Sequence, residues 1–412
     1  MKNWNIAMNM VMEMKAAAAA TGCDLWAYDK DSDTCISYWA RLAGGKYQEM
    51  LKPLSVTENA GMVLLRYHSV TAVADGKTVS SDAFWDLYGG LYRECRSLVI
   101  DVVNDCLVLT PFRKFRNINE GEEVSYEKVR EMIDRASCVE FSDKLDGSMQ
   151  SARYYRGSII MSGSQALDPE KSWRLKDGYR MLLENPGYTR MLEDHPDKTF
   201  VFEYISKKDQ HVVWYDKEGL FLIGARDVGT GKEDPYAKVL EYARRYQVPS
   251  TKVFDKTLDQ VMSELDEKSS NEAEGFVVNI DGFKVKVKYN DYVFMHRTLS
   301  SLTSEKLVIQ SIAEGTFDDM VSKVPEAYRE RVMDTAAAVY DYMEKTEAAV
   351  REAYGAAPKE SRKEFMVWVN NNADPRIRGF VREKYLGHGY CVLKKGGAYM
   401  KIGDILSRKE GK

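Results

Sequence analysis

The sequence predicts an α+β fold followed by an all-α region, and three observations carry that prediction. Between about residues 138 and 290, β-branched and aromatic runs are bounded by Gly, Asp or Lys turns. Helical spacing falls between those runs without a regular strand–helix–strand rhythm, which favours antiparallel sheets over a doubly wound parallel sheet. After about Ser300 the texture becomes Ala, Glu, Lys and Met with few β-branched runs. The expected division is residues 1–300, including an N-terminal extension, and residues 301–412 as a helical C-terminal domain.

The elements follow in chain order. Ile6–Ala20 has the spacing of an amphipathic helix, and its Ala16–Ala20 run is too short for a signal-peptide core. Residues 1 to about 120 mix this helix with short strands and Gly/Asp-rich turns. Cys138–Ser142, Met149–Tyr155, Thr199–Ile205, His211–Tyr215, Leu220–Ala225, Gly275–Ile280 and Phe283–Lys288 read as strands. Ser172–Glu193 and Tyr236–Tyr246 read as helices, as do Leu302–Ala313, Pro325–Ala353 and Lys359–Asn370 after the boundary.

Composition narrows the function classes. The 412 residues are 44% hydrophobic and 30% charged, enough to build a core and solvate a surface. A net charge of -4 argues against a protein that coats nucleic acid through bulk charge. It leaves room for a local basic surface. Residues 305–358 carry six Lys/Arg against eleven Asp/Glu, whereas residues 359–412 carry thirteen against six. That last segment is either a solvated basic tail or a phosphate-contacting surface. No run approaches the ~18 apolar residues of a membrane span. Six cysteines without C-x-x-C or zinc-like spacing predict free thiols and a cytoplasmic setting.

The chemistry-bearing residues begin at Lys144-Leu145-Asp146-Gly147-Ser148, directly after an apolar run. A lysine leaving a strand end, beside a glycine that permits a tight turn, is a candidate nucleophile. It attacks only as the neutral amine, so its pKa near 10.4 must fall, and nearby cations and burial both push it down. Asp-Gly alone is equally a hairpin signal. The ordered set around it is more specific. Glu94-Cys95-Arg96 and Arg113-Lys114-Phe115-Arg116-Asn117 lie upstream; Phe202-Glu203-Tyr204 and Glu274-Gly275-Phe276 lie downstream. In Phe283-Lys284-Val285-Lys286-Val287-Lys288, period-two alternation puts three lysines on one face, which is either a solvated edge or an anion site.

This order resembles the covalent nucleotidyltransferase superfamily of ATP-dependent ligases and capping enzymes, and most closely the RNA ligase 1 family of T-even bacteriophages. The resemblance runs from about Tyr67 to Leu302. It implies a nucleotidyltransferase (ATP-grasp-like ligase adenylation) domain, in which Lys144 attacks the α-phosphate of ATP and holds AMP as a phosphoramidate. AMP then passes to an RNA 5′-phosphate, and a 3′-hydroxyl displaces it. By the same resemblance Arg96, Lys114 and Tyr67 contact the triphosphate, and Lys286 and Lys288 contact the α-phosphate. Glu203 binds the ribose, and within the nucleophile motif Asp146 is expected to be catalytic and Gly147 to contact the nucleotide. Glu274 places a catalytic metal, expected to be Mg²⁺ with Mn²⁺ as an alternative. Asp318, in Glu314-Gly315-Thr316-Phe317-Asp318-Asp319, matches a metal-associated position, although helix N-capping explains it as well. The expected partner is RNA with 5′-phosphate and 3′-hydroxyl ends, cleaved tRNA being one candidate, bound by a monomer in the cytoplasm, that of the host cell if the chain is phage-encoded.

Departures and rivals complete the reading. Arg116 stands where the phage family has an aromatic residue, and Ser162 stands where it has a lysine. Gly229-Thr230-Gly231-Lys232 looks like a phosphate loop, yet Arg226 occupies the position of the required first glycine. A ligase for nicked duplexes is the nearest alternative, but it usually adds an OB-fold of short strands. A non-catalytic RNA-binding protein with a degenerate nucleotidyltransferase fold is the alternative from another class.

Overall fold

The computed structural model describes residues 3–30, 33–74, 77–80, 82–302, 304–322, 324 and 326–406. Two compact units divide the chain, Met1–Val293 and Phe294–Lys412, and the helix Asn290–Leu302 runs through that division.

The first unit begins with the helix Ile6–Ala19. Asn5 caps it by accepting the backbone N–H groups of Ala7 and Met8, two of the donors a helix start leaves unpaired. Its buried face, including Met8, Val11 and Met14, shares one core with Trp39, Leu65, Leu98 and Ile100. The last three belong to a four-stranded antiparallel sheet, in order Leu54–Asn59, Met62–Tyr67, Arg96–Asp101, Cys106–Leu109.

Tyr67 and Arg96 lie in this sheet, and two further sheets hold most of the other chemistry-bearing motifs. One is antiparallel, in order Ser158–Ser162, Ser148–Tyr155, Lys198–Ile205, Gly219–Asp227. The other runs Val253–Phe254, Val139–Asp143, Gly275–Ile280, Phe283–Lys288, Arg116–Asn117. Its last pairing, to the short edge strand Arg116–Asn117, is parallel, and the others are antiparallel as the sequence predicts. The parallel pairing brings Asn117 opposite Lys286.

Three local expectations are corrected. His211–Tyr215 is not a strand: the backbone N–H groups of Val212 and Val213 go to the Asp146 carboxylate, 2.8 and 2.9 Å away, instead of to a ladder. Ser158–Ser162 is an additional strand paired to Ser151–Tyr155. The helix expected over Ser172–Glu193 is two, Trp173–Glu184 and Pro186–Asp194, because a proline cannot continue a helix but suits the first turn of a new one.

The second unit is helical, with Glu305–Glu314, Phe317–Ser322, Glu326–Ala356, Arg362–Asn372, Arg378–Leu386 and Ile402–Leu406. A two-stranded hairpin, Lys394–Lys395 with Ala398–Tyr399, is the departure from an all-α region. Pro325, the expected start of one helix, lies outside the described residues, as do residues 407–412 of the basic tail. Among the described residues no helix is long and apolar enough to cross a membrane.

Candidate active site

Strand order brings Lys144 and Glu274 together. The strand Val139–Asp143 pairs antiparallel with Gly275–Ile280, and the Lys144 backbone N–H donates to the Gly275 carbonyl at 2.9 Å. Residue 144 therefore emerges beside residue 274. Lys144 Nζ lies 2.7 Å from Glu274 Oε2, and Lys288 Nζ lies 2.8 Å from the other oxygen, Oε1. Burial opposes charge on Glu274, but the two lysines outweigh it and hold this carboxyl below its ordinary range. For Lys144, burial alone would lower the pKa; Glu274 and then Glu203 reverse that and raise it. The expected lowering is thus absent from this state of the site: Lys144 is stored as an ammonium.

The turn after Lys144 is held from three sides. Asp146 is buried, and its carboxylate accepts Tyr292 OH at 2.8 Å as well as the two backbone donors of the 212–213 segment. Its own N–H donates to Tyr215 Oη at 2.8 Å. These bonds make Asp146 the anchor that fixes the turn. Gly147 N–H donates to Glu203 Oε1 at 3.0 Å, and a Cβ on Gly147 would stand 2.4 Å from the Tyr204 carbonyl oxygen. Only glycine permits that approach. Burial raises Glu203 to about 7, against the opposing pull of Lys144.

The three lysines of Phe283–Lys288 share a face, as the alternation predicts, but they meet different surroundings. Lys284 ion-pairs with Glu233 and lies 3.9 Å from the Phe112 ring centroid. Lys288 pairs with Glu274. Lys286 has no carboxylate partner among the described residues and lies 4.7 Å from the Phe115 ring centroid. Burial, followed by the charges of Arg96, Lys114, Lys144 and Lys288, pushes its pKa well down. Arg96 stacks on the same Phe115 ring at 5.2 Å, and its Nη1 is buried without a hydrogen-bond partner. A buried donor left unpaired beside a cation without a counter-ion is a cradle for an anion.

Lys114 and Tyr67 also meet there. Lys114 Nζ sits 5.8 Å from the Tyr67 ring and 5.4 Å from Trp85, and the two rings contact edge to face at 5.0 Å. Trp85 is a residue that motif reasoning missed, and Phe115, although inside the Arg113–Asn117 motif, has no role assigned from sequence. Their signal, aromatic side chains beside basic motifs, is too common in sequence to single them out.

The remaining candidates lie elsewhere. Asp318 is exposed in the second unit, inside the first turn of Phe317–Ser322, so it is not the N-cap. Among the described residues no group of three or more His, Cys, Asp or Glu could hold a metal ion by itself. A divalent ion held by Glu274 would therefore take its other ligands from phosphate oxygens and water, an arrangement that suits Mg²⁺. Arg116 is buried and pairs with Glu123 at 3.3 Å. Ser162 is buried, its Oγ 3.3 Å from Ser151 Oγ. Arg226 lies in a buried ion pair with Glu94 at 3.0 Å, and the 228–231 loop packs under Trp4, whose Nε1 donates to the Val228 carbonyl. That loop is structural, in keeping with its failure as a phosphate loop.

The chain is similar to several known proteins. The model of a family described as RNA ligase matches residues 94–298. A curated protein of Thermovibrio ammonificans, named "Putative RNA ligase", is 23% identical over 291 residues, covering 66% of this chain and 73% of that protein. Among solved structures, an archaeal ATP-dependent RNA ligase is 15% identical with a TM-score of 0.42, covering 85% of this chain and 96% of that one. A Naegleria gruberi RNA ligase with pyrophosphate is 16% identical with a TM-score of 0.33, covering 41% of this chain. The match spans 55% of that Naegleria chain.

Proposed function

We propose that this chain, a member of the RNA ligase family, is an ATP-dependent RNA ligase that works through a covalent adenylate on Lys144. The observation that carries the reading is the convergence on one cradle of a lysine, a paired carboxylate and an unneutralised cation cluster. Lys144 and Lys288 share Glu274, while Lys286 and Arg96 share Phe115 with no acid between them.

ATP fits that cradle by charge. The triphosphate supplies the anion that Lys286, Arg96 and Lys114 lack, and Glu203 faces the nucleophile turn as a ribose acceptor. Lys144 first gives up its ammonium proton to solvent. The neutral Nζ then forms a bond to the α-phosphorus as the bond to pyrophosphate breaks, pyrophosphate leaves with the electron pair, and the nitrogen releases a second proton to solvent. Lys286 and Lys288 offset charge at the α-phosphate, and the Asp146 anchor keeps the turn aimed. Glu274 would hold a divalent ion, which when bound would supply further neutralisation of phosphate charge. AMP then moves to an RNA 5′-phosphate, and an RNA 3′-hydroxyl displaces it to seal the strand.

The helical second unit supports an RNA ligase over a nicked-duplex ligase with an OB-fold. Its basic stretch after Lys359 is the proposed contact for the body of the RNA, with cleaved tRNA as one substrate to test. The deciding experiment is incubation with Mg²⁺ and α-labelled ATP. Acid-labile, alkali-stable label should appear on the chain and vanish in Lys144→Ala; no label from ATP overturns the reading. Joining assays on single-stranded RNA, single-stranded DNA and nicked duplexes then fix the substrate.

A further inference from the structure

A second concavity opens beside the nucleophile turn in the same unit. It encloses about 390 Å³, the size of a small-ligand pocket, and its lining mixes polar and apolar groups in about equal share. Two of its lining residues are direct neighbours of the candidate active site. Ser148 follows Gly147, and Ser164 accepts, through its backbone carbonyl, a 2.9 Å hydrogen bond from Ser97, the residue after Arg96. The opposite wall is the start of the helix Trp173–Glu184, where Ser172 caps the N-terminus and Lys171 and Arg174 flank it. Gln150 lines the same concavity; it is 1% exposed and its Oε1 has no hydrogen-bond partner.

The lining carries both signs of charge. Arg174 Nε is engaged by Asp209 at 2.6 Å, whereas Lys171 is exposed, with no acid partner among the described residues. Of the two carboxylates, Glu58 already accepts Tyr28 OH and the Cys35 N–H, and Asp168 accepts only the Glu170 N–H. A bare phosphate would meet those acids unfavourably. A nucleotide unit would not, because it brings a phosphate for the cations and ribose hydroxyls for a carboxylate.

We propose that this cleft holds one nucleotide unit of the RNA strand next to its reacting end, with the phosphate at Lys171 and the helix N-terminus and the ribose 2′-hydroxyl at Asp168. The inference rests on the RNA ligase reading. It makes the cleft a point at which RNA is told from DNA, since only RNA offers the 2′-hydroxyl.

The test uses the full chain, pre-loaded with AMP, and a short 5′-phosphorylated single-stranded RNA beside DNA of the same sequence. Lys171→Ala should weaken RNA binding about fivefold and reduce the slope of log affinity against log salt by about 0.7. Asp168→Asn keeps the acceptor used by Glu170 and should narrow the preference for RNA over DNA. Label transfer from ATP to the chain should be unchanged in both variants. Unchanged RNA affinity and salt slope in Lys171→Ala, with labelling intact, overturns the cleft assignment; an unaltered RNA preference in Asp168→Asn overturns the ribose contact. Absence of labelling in the unaltered chain instead overturns the ligase reading itself.

Discussion

Lys144 and Glu274 are an ion pair at 2.7 Å, formed across adjacent strands by residues 130 positions apart. The proposed nucleophile is therefore held as an ammonium until something competes for the carboxylate. Glu274 and Glu203 raise the Lys144 pKa above its ordinary value, so below that value the neutral, reactive fraction grows with pH. Self-adenylation under single-turnover conditions should rise about tenfold per pH unit on this limb. Glu274→Gln removes the leading cause of the raised pKa and should move the limb to lower pH, even as the absolute rate falls. A limb that stays in place in the variant would show that Glu274 does not control the proton on Lys144.

Glu203 gives a prediction about stability. Its pKa is raised from 4.5 to about 7 by burial, so the folded chain favours the protonated acid. The sign follows directly: stability from this group is complete below pH 4.5 and is lost as pH rises through 7. Urea unfolding should show wild type weakening over that window by up to about 3 kcal/mol, the linkage value of such a shift. Glu203→Gln should flatten this part of the profile while retaining the acceptor for Gly147. Parallel profiles for the two proteins would refute the assignment.

Gly147 is expected to tolerate no side chain. A Cβ there would meet the Tyr204 carbonyl oxygen at 2.4 Å, a backbone atom that cannot swing away. Gly147→Ala should cost about 1–3 kcal/mol in unfolding free energy and abolish chain labelling by moving the turn that aims Lys144. Full labelling at wild-type stability would mean the turn is more compliant than its packing implies.

The lysine row predicts opposite effects at neighbouring positions. Lys284→Met leaves the half-buried Glu233 without its partner and should destabilise the fold by about 1–3 kcal/mol, less than a fully buried pair would cost. Lys286→Met removes a cation that burial and four positive neighbours disfavour, so it should leave stability unchanged or raised while eliminating reaction with ATP. Thermal unfolding and labelling, measured on both variants, separate the roles; equal stability losses would contradict them.

Trp85 should act through Lys114. The lysine lies over Trp85 and Tyr67, a contact worth about 0.5–2 kcal/mol. Trp85→Ala should raise the ATP concentration needed for half-maximal labelling by roughly three- to thirtyfold, and Trp85→Phe should recover most of it. An unchanged requirement in Trp85→Ala would remove Trp85 from the site.

The α+β class, the helical region after Ser300, the order of the motifs and the shared face of the three lysines are all legible in the amino-acid sequence. Each depends on local regularities, the period of two in strands and the helical spacing, which residues express within a few positions of one another. It also showed why Gly229–Lys232 fails as a phosphate loop. Only the tertiary structure decided which lysine is neutralised by which acid. Glu233 reaches Lys284, Glu274 holds both Lys144 and Lys288, and Lys286 is left to the aromatic ring it shares with Arg96. It also turned His211–Tyr215 from an expected strand into the loop that anchors Asp146. The physical reason is common to these cases. Strand order, register and the destination of each backbone donor join residues from tens to more than a hundred positions apart, and no local pattern of polarity encodes such pairings.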